Sequence, residues 1–235
     1  MKTRCSHVLV RVNDLHRAVD DYRRLGFQVD YATPRERAQH AHVWFSDGPV
    51  IELLTTPANA RWFKWPIDLI AGRGAGRRMI GWSARGEGFC DLAVVTDSGL
   101  FDATRKTLCA AGIPIGRAVR WRRRRADGSE TRFSFAYPRD PALPFMVSPY
   151  QPRQHPATIR HANGASRLSR VRLGAPVERH AEIRRIIGDD PTIVLEDAPS
   201  SGVRTIELTG LTETLDPALL HGATIRAASA EQDCK

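Results

Sequence analysis

Val8 to Val12 is apolar but for Arg11, with β-branched valine at every second position, the pattern of a strand. Asn13-Asp14 then offers helix-capping oxygens, and Leu15, Ala18, Val19, Tyr22 and Leu25 recur at helical spacing until Gly26 ends the run. Phe27 to Tyr31 reads as a second strand and Gln39 to Phe45 as a third. Ser46-Asp47-Gly48-Pro49 is turn chemistry, and Val50 to Thr56 follows as a fourth strand. The predicted unit is βαβββ.

The same order returns. Gly88 to Asp97 reads as a strand, Ser98 to Ala111 as a helix closed by Gly112, Ile115 to Arg124 and Thr131 to Tyr137 as a ribbon, and Leu143 to Tyr150 as a last strand. The two openings match by pattern, "HVLVRVNDL" against "DLAVVTDSGL". A shorter series follows: a strand from Arg167 to Pro176, a helix from Val177 to Gly188, and strands Thr192 to Asp197 and Val203 to Gly210. Repetition therefore sets the boundaries. Residues 1–57 form a first βαβββ module, 58–86 a connecting segment able to act as a lid, and 87–151 a second module. Residues 152–166 are a Pro-rich connection, and 167–230 a third, shortened βαββ module.

The chain has 235 residues, 42% of them hydrophobic, enough for a substantial core. No apolar run approaches the roughly 20 residues of a membrane span. Arg4, Cys5 and Ser6 stand where a secretory signal would need an apolar stretch, so a cytoplasmic protein with no membrane partner is expected. Cys5, Cys90, Cys109 and Cys234 are scattered without paired spacing, which suits reduced thiols.

Thirty-five basic residues against 26 acidic give a formal charge of +9, so a nucleic-acid role is weighed. The densest basic stretch, Arg120 to Phe133, turns at Asp127-Gly128 and reads as a hairpin. Consecutive arginines in a strand point to alternate faces, so only half could follow one phosphate track. A solvated hairpin is expected there, and nucleic acid is not the expected partner.

A βαβββ repeat with His on its first strand and Glu on its fourth resembles the vicinal oxygen chelate superfamily, the glyoxalase, bleomycin-resistance and extradiol dioxygenase group. It is most similar to the glyoxalase-like domain proteins. The resemblance is carried by "HVLVRVNDLHRAVDDYRRLGF", "FSDGPVIELL", "RRADGSETRFSF", "LPFMVSPYQPRQHPA" and "HANGASRLSRV". It implies an α+β fold in which repeated βαβββ modules pair into a cupped mixed sheet with helices outside. It also implies a divalent metal on the concave face, held by His7 and Glu52. In the second module the alignment puts Asp91 in the place of His7 and Ser148 in the place of Glu52. The third has Leu168 or Ser169 and Glu207 at the corresponding places. The expected metal set is thus His7, Glu52 and Asp91, around manganese, iron, nickel or zinc, and a metal-free descendant of the fold stays open.

A carboxylate inside the apolar strand "VIELLTT" is expensive to bury unless paired or bound to a cation, which singles out Glu52. Gln39 to Phe45 places His40, His42 and Trp44 on one face and Ala41, Val43 and Phe45 on the other. If the first set faces the cup, His40 or His42 serves as a general base and Trp44 as a pocket wall; with the opposite parity they lie at the surface. Arg11 and Arg132 are candidates to pair with a substrate carboxylate or phosphate. Trp62, Phe63, Trp65 and Trp82 either pack or cover the mouth. "GRGAGRR" lacks the strand-to-helix setting of a phosphate loop. Ser148 has no activating partner, and His155 and His161 read as loop residues.

The expected function is a metal-dependent lyase, isomerase or dioxygenase acting on a small carbonyl or vicinal-oxygen substrate, with room for an anionic one. The alternative is a metal-free protein that binds or sequesters a small molecule, as bleomycin-resistance proteins do. Modules can pair within or between chains, which leaves a homodimer open.

Overall fold

A computed structural model of the chain describes residues 2–56, 62, 64–97, 99–125 and 127–229. Phe63, Ser98 and Cys234 lie outside them. The first module is β1 (Thr3–Arg11), α1 (Leu15–Arg24), β2 (Asp30–Tyr31), β3 (His40–Val43) and β4 (Val50–Leu54). Asp14 starts α1 by accepting hydrogen bonds from the backbone N–H groups of His16 and Arg17, two of the donors a helix leaves orphaned.

In the connecting segment lie α2 (Lys64–Ala71) and α3 (Ala75–Ala84). The second module follows as β5 (Gly88–Thr96), α4 (Phe101–Ala110), β6 (Val119–Arg124), β7 (Glu130–Ala136) and β8 (Phe145–Val147). These eight strands form one curled sheet in the order β2-β3-β4-β1-β5-β8-β7-β6. Strands β1 and β5 run antiparallel at its centre, and each opening strand pairs in parallel with the last strand of its own module.

The remaining chain is β9 (Arg167–Ala175), α5 (His180–Ile187), β10 (Ile193–Asp197), β11 (Gly202–Thr209) and β12 (Ile225–Ala227). Its four strands make a separate sheet, ordered β10-β9-β11-β12. Here the opening strand pairs in parallel with β10, the strand just after its helix. The wiring therefore differs from that of the first two modules. Strand β12, only three residues long, has too little pattern to stand out in the sequence.

Side-chain parity divides the interior in two. Val8, Val10, Ile51, Leu53, Leu92 and Val94 point to the convex side, where residues of α1, α4, α5 and the second sheet pack against them. Leu9, Leu54, Ala93, Phe145 and Val147 point to the concave side and pack with Trp82 of α3. Ala41, Val43 and Phe45 belong to the convex core. The parity left open above is thereby settled, since a one-residue slip would expel all three into the cup. His40, His42 and Trp44 lie on the other face, that of the cup.

The "HANGAS" segment is a latch. Asn163 donates to the carbonyl of Leu25 at the end of α1 (2.7 Å), and Ala162 N–H donates to the Gly26 carbonyl (2.8 Å). Gly26 takes φ +85°, and a Cβ there would come within 2.8 Å of the Asn163 nitrogen. His161 bridges the same junction, accepting from Gln28 N–H at Nδ1 (2.9 Å) and donating from Nε2 to the Trp44 carbonyl (3.0 Å). No helix among the described residues is long and apolar enough to cross a membrane.

Candidate active site

Strand pairing gathers the chemistry on the concave floor. Glu52 of β4 sits opposite His42 of β3 and Leu9 of β1, with His7 and His40 each two residues along their strands and so on the same face. The carboxylate is buried, and three imidazoles surround it. His40 Nδ1 donates to Oε1 at 2.5 Å, His7 Nε2 lies 3.2 Å from Oε2, and His42 Nε2 lies 3.8 Å from Oε1.

Burial alone would raise the Glu52 pKa, but His7 and the hydrogen bond from His40 outweigh it and hold the carboxyl well below the usual range. Burial lowers His7, and it lowers His42 to about 3. At neutral pH Glu52 is therefore a carboxylate beside neutral His7 and His42. His42 Nε2 is buried with no hydrogen-bond partner among the described residues. Because an ionised carboxylate only accepts, the proton His40 shares with Glu52 is on Nδ1, and Nε2 is left as the basic atom. The His40 side chain is 35% exposed, the one member of the cluster that reaches well into open space.

That space is a cavity of about 980 Å³ lined by His7, His40 and Glu52 at the floor and largely by aromatic side chains of β6, β7 and β8 on the walls. Ile67 and Ile70 of α2 stand at its edge. A neighbouring cavity of about 810 Å³ shares His7 and Tyr150 with it and is lined by His42 and Trp44. Trp44 contacts the rings of His42 and His155 there. Of the four aromatics of the connection, Trp82 is buried, Trp62 and Trp65 are exposed, and Phe63 lies outside the described residues.

Three expected site residues are engaged elsewhere. Asp91 receives Arg78 Nη1 at 2.5 Å, Trp82 Nε1–H at 2.9 Å and the Leu92 N–H at 2.8 Å. Arg78 is fully buried on α3, its other terminal nitrogen donating to the carbonyls of Asp140 and Leu143. A guanidinium thus neutralises the acid expected to bind a metal. Arg11 bonds the Asn13 side chain and Arg132 pairs with Glu130, and neither lines the cup. In each case the polar partner lies two residues away along the chain, Asn13 just after β1 and Glu130 on the same face of β7.

The second module's missing carboxylate is also relocated. With Asp91 taken as the counterpart of His7, the pairing of Ala93 with Phe145 mirrors that of Leu9 with Glu52. Phe145, not Ser148, therefore stands in the place of Glu52, and its ring meets the His7 imidazole edge-on at 5.6 Å. Ser148 uses its hydroxyl to accept from the Ser134 N–H. Among the described residues no group of three His, Cys, Asp or Glu side chains is disposed to hold a metal ion. The residues present do not fit the expected metal set, because Asp91 is spent on Arg78 and Phe145 offers no oxygen. Cys5 and Cys90 are buried, and burial pushes both thiols up, away from nucleophilic use.

Two residues that line the cup, Tyr150 and Arg123, were not singled out in the sequence. Arg123 was hidden there by the three arginines around it, which border the cup too. Strand parity was the signal that could have found it.

Among solved structures, a hypothetical protein from Staphylococcus aureus is 12% identical, with 91% of this chain and 93% of that chain covered at a TM-score of 0.67. The Mn(II)-bound glyoxalase from Novosphingobium aromaticivorans is 13% identical, with 92% and 68% covered at 0.53. The 2,3-dioxygenase LapB from Pseudomonas sp. KL28 is 13% identical, with 90% and 75% covered at 0.51. At such identities the likeness is one of fold. No match was found among curated proteins. The family profile of the glyoxalase-like domain matches residues 5–185, from the strand that carries His7 through both βαβββ modules and into α5. The chain accordingly belongs to the glyoxalase-like domain family.

Proposed function

We propose that this chain is a small-molecule enzyme that moves a proton on carbon next to a carbonyl group, an isomerase- or lyase-type reaction, and that it does so with its own side chains. The observation that carries the reading is the His40–Glu52 pair at the floor of an aromatic cavity, with the imidazole proton fixed on Nδ1 by a 2.5 Å hydrogen bond. A carboxylate that holds an imidazole in this tautomer leaves Nε2 free as the base and stabilises the imidazolium that forms.

In the proposed step His40 Nε2 takes a proton from the carbon beside the substrate carbonyl. The electron pair moves into an enolate, and the proton returns at the same or a neighbouring atom. Tyr150, in the wall of the same cavity, is kept protonated because burial and the Glu52 charge both raise its pKa. Its O–H is the donor suited to the enolate oxygen. No step passes through a metal, since the second-module positions that would complete a site are Asp91, bound to Arg78, and Phe145.

The alternative of sequestration without chemistry draws support from the same Phe145 and Arg78, which leave the second half of the cup without a free ligand. One experiment separates the two. Incubation with a panel of enolisable oxo acids and oxo esters in deuterated water, followed by proton NMR, detects loss of the carbon-bound hydrogen. Enzyme-dependent exchange that disappears in His40→Asn and Glu52→Gln supports the enzyme; ligands that bind without exchange support sequestration.

A further inference from the structure

We infer that Arg123 is the anion anchor of the cup, and that the ligand it holds is a carboxylate carrying an aromatic or similarly flat apolar group. The inference rests on the reading of the cup as a small-molecule site and names the class of molecule it takes.

Strand parity supplies the first part. On β6, Val119 packs inward with Ala71 and Ala75. Trp121 and Arg123 share its face, while Arg120, Arg122 and Arg124 are exposed. Arg122, Arg124 and Arg125 also border the cavity, but of these four consecutive arginines Arg123 alone has a terminal nitrogen buried without a partner among the described residues. The face of its guanidinium lies 5.4 Å from the Phe133 ring centroid, a contact that leaves the edge donors free.

The second part is an unanswered donor. Arg123 Nη1 is buried and has no hydrogen-bond partner among the described residues. A buried charged donor left unpaired is costly, so the position calls for an acceptor from outside the chain. Arg78 shows the contrast, its terminal nitrogens being spent on Asp91 and two carbonyls. Arg123 stands close enough to the floor for its charge to lower His7 and His42.

The walls describe the rest of the ligand. Trp121, Phe133, Phe135, Tyr137, Phe145 and Tyr150 offer ring faces and edges around the cavity. Glu52 is ionised in the same space, which disfavours a dianion such as a phosphate monoester and leaves a singly charged carboxylate as the better fit.

The test uses phenylpyruvate and its methyl ester, which share the arene and the enolisable carbonyl and differ in charge. Affinities are read by tryptophan fluorescence and calorimetry. The wild-type chain should bind the acid about 30-fold or more tightly than the ester. Arg123→Gln and Arg123→Met should each bring that ratio below about threefold, and Arg123→Lys should return it to about tenfold. His40→Asn should keep the preference for the acid. Circular dichroism confirms that each variant is folded. Equal wild-type affinities, binding of neither compound at millimolar concentration, or an undiminished preference in a folded neutral variant would each overturn the inference. Failure of the proton-transfer reading looks different: the acid preference stands, and no deuterium enters the ligand.

Discussion

Arg78 reaches Asp91 across 2.5 Å in a site where both side chains are almost wholly buried. A positive side chain thus sits beside the second-module acid that corresponds to His7, ringed by Tyr137 and Phe145 at 5.4 and 5.8 Å. Helix α3 of the inter-module connection delivers it, so this connection supplies part of the cup and is more than a link.

Breaking that pair should cost far more than its net contribution to folding. Arg78→Met leaves a carboxylate in a low-dielectric pocket with only the Trp82 and Leu92 N–H groups for company, and should destabilise the fold by about 3–5 kcal/mol. The double variant Arg78→Met with Asp91→Leu removes both charges and should recover most of the loss. Urea unfolding followed by circular dichroism checks both. An Arg78→Met protein as stable as wild type would mean that water reaches Asp91.

Metal should be dispensable for the proposed exchange. Protein dialysed against EDTA should turn over as fast as protein supplied with manganese, iron, nickel or zinc, because Asp91 and Phe145 leave His7 and Glu52 without a second-module ligand. Isotope exchange and elemental analysis, run on the same samples, decide the point. Rate enhancement of tenfold or more by one stoichiometric metal would return the chain to the metal-dependent scheme and refute the side-chain route.

His40 and Glu52 should behave as one unit. Glu52→Gln removes the charge that fixes the imidazole tautomer, and His40→Asn removes the base. Each should lower exchange by about 10²–10⁴-fold. The double variant should then be little worse than either single one, since the second change removes a partner already idle. Multiplicative losses in the cycle would show that the two residues act independently.

The fold was legible because it is written in alternation. Val8 to Val12, Ala41 to Phe45 and Ile51 to Leu53 each place their apolar side chains on the convex core, and that same parity fixes His7, His40, His42 and Glu52 on the cup. What the sequence concealed depends on partners distant along the chain. Asp91 reads as a free acid until α3 brings Arg78 to it, and Ser148 aligns with Glu52 until the register of β5 with β8 shows Phe145 there. Arg123 was obscured for another reason: charge density in "RWRRRR" suggested an outward basic ribbon, whereas Arg122 to Arg125 border the cavity and Arg123 has a terminal nitrogen buried there. The distinct pairing order of the second sheet was likewise invisible, because β9 to β12 repeat the local patterns of the modules without repeating their long-range contacts.

Acid should unfold this protein earlier than its surface charge suggests. His42 is lowered by burial from 6.5 to about 3, and His7 is lowered for the same reason. Well above pH 6.5 neither imidazole is protonated in the folded or the unfolded chain, and their contribution does not change with pH. As pH falls below that point the unfolded chain takes up protons that the native cluster refuses, so stability declines by about 1.4 kcal/mol per pH unit on account of His42, and His7 adds in the same direction. Glu52 acts in the same direction below 4.5, since its native pKa is held well under that value and only the unfolded chain accepts the proton. Between pH 7 and pH 5 His42 alone should therefore account for about 2 kcal/mol. Urea midpoints at the two pH values give the wild-type loss, and His42→Phe should show a loss smaller by about that amount. If stability instead holds or rises on acidification, an imidazole of the cluster must be protonated in the native state and paired with Glu52, and the assignment of a neutral His42 would be wrong.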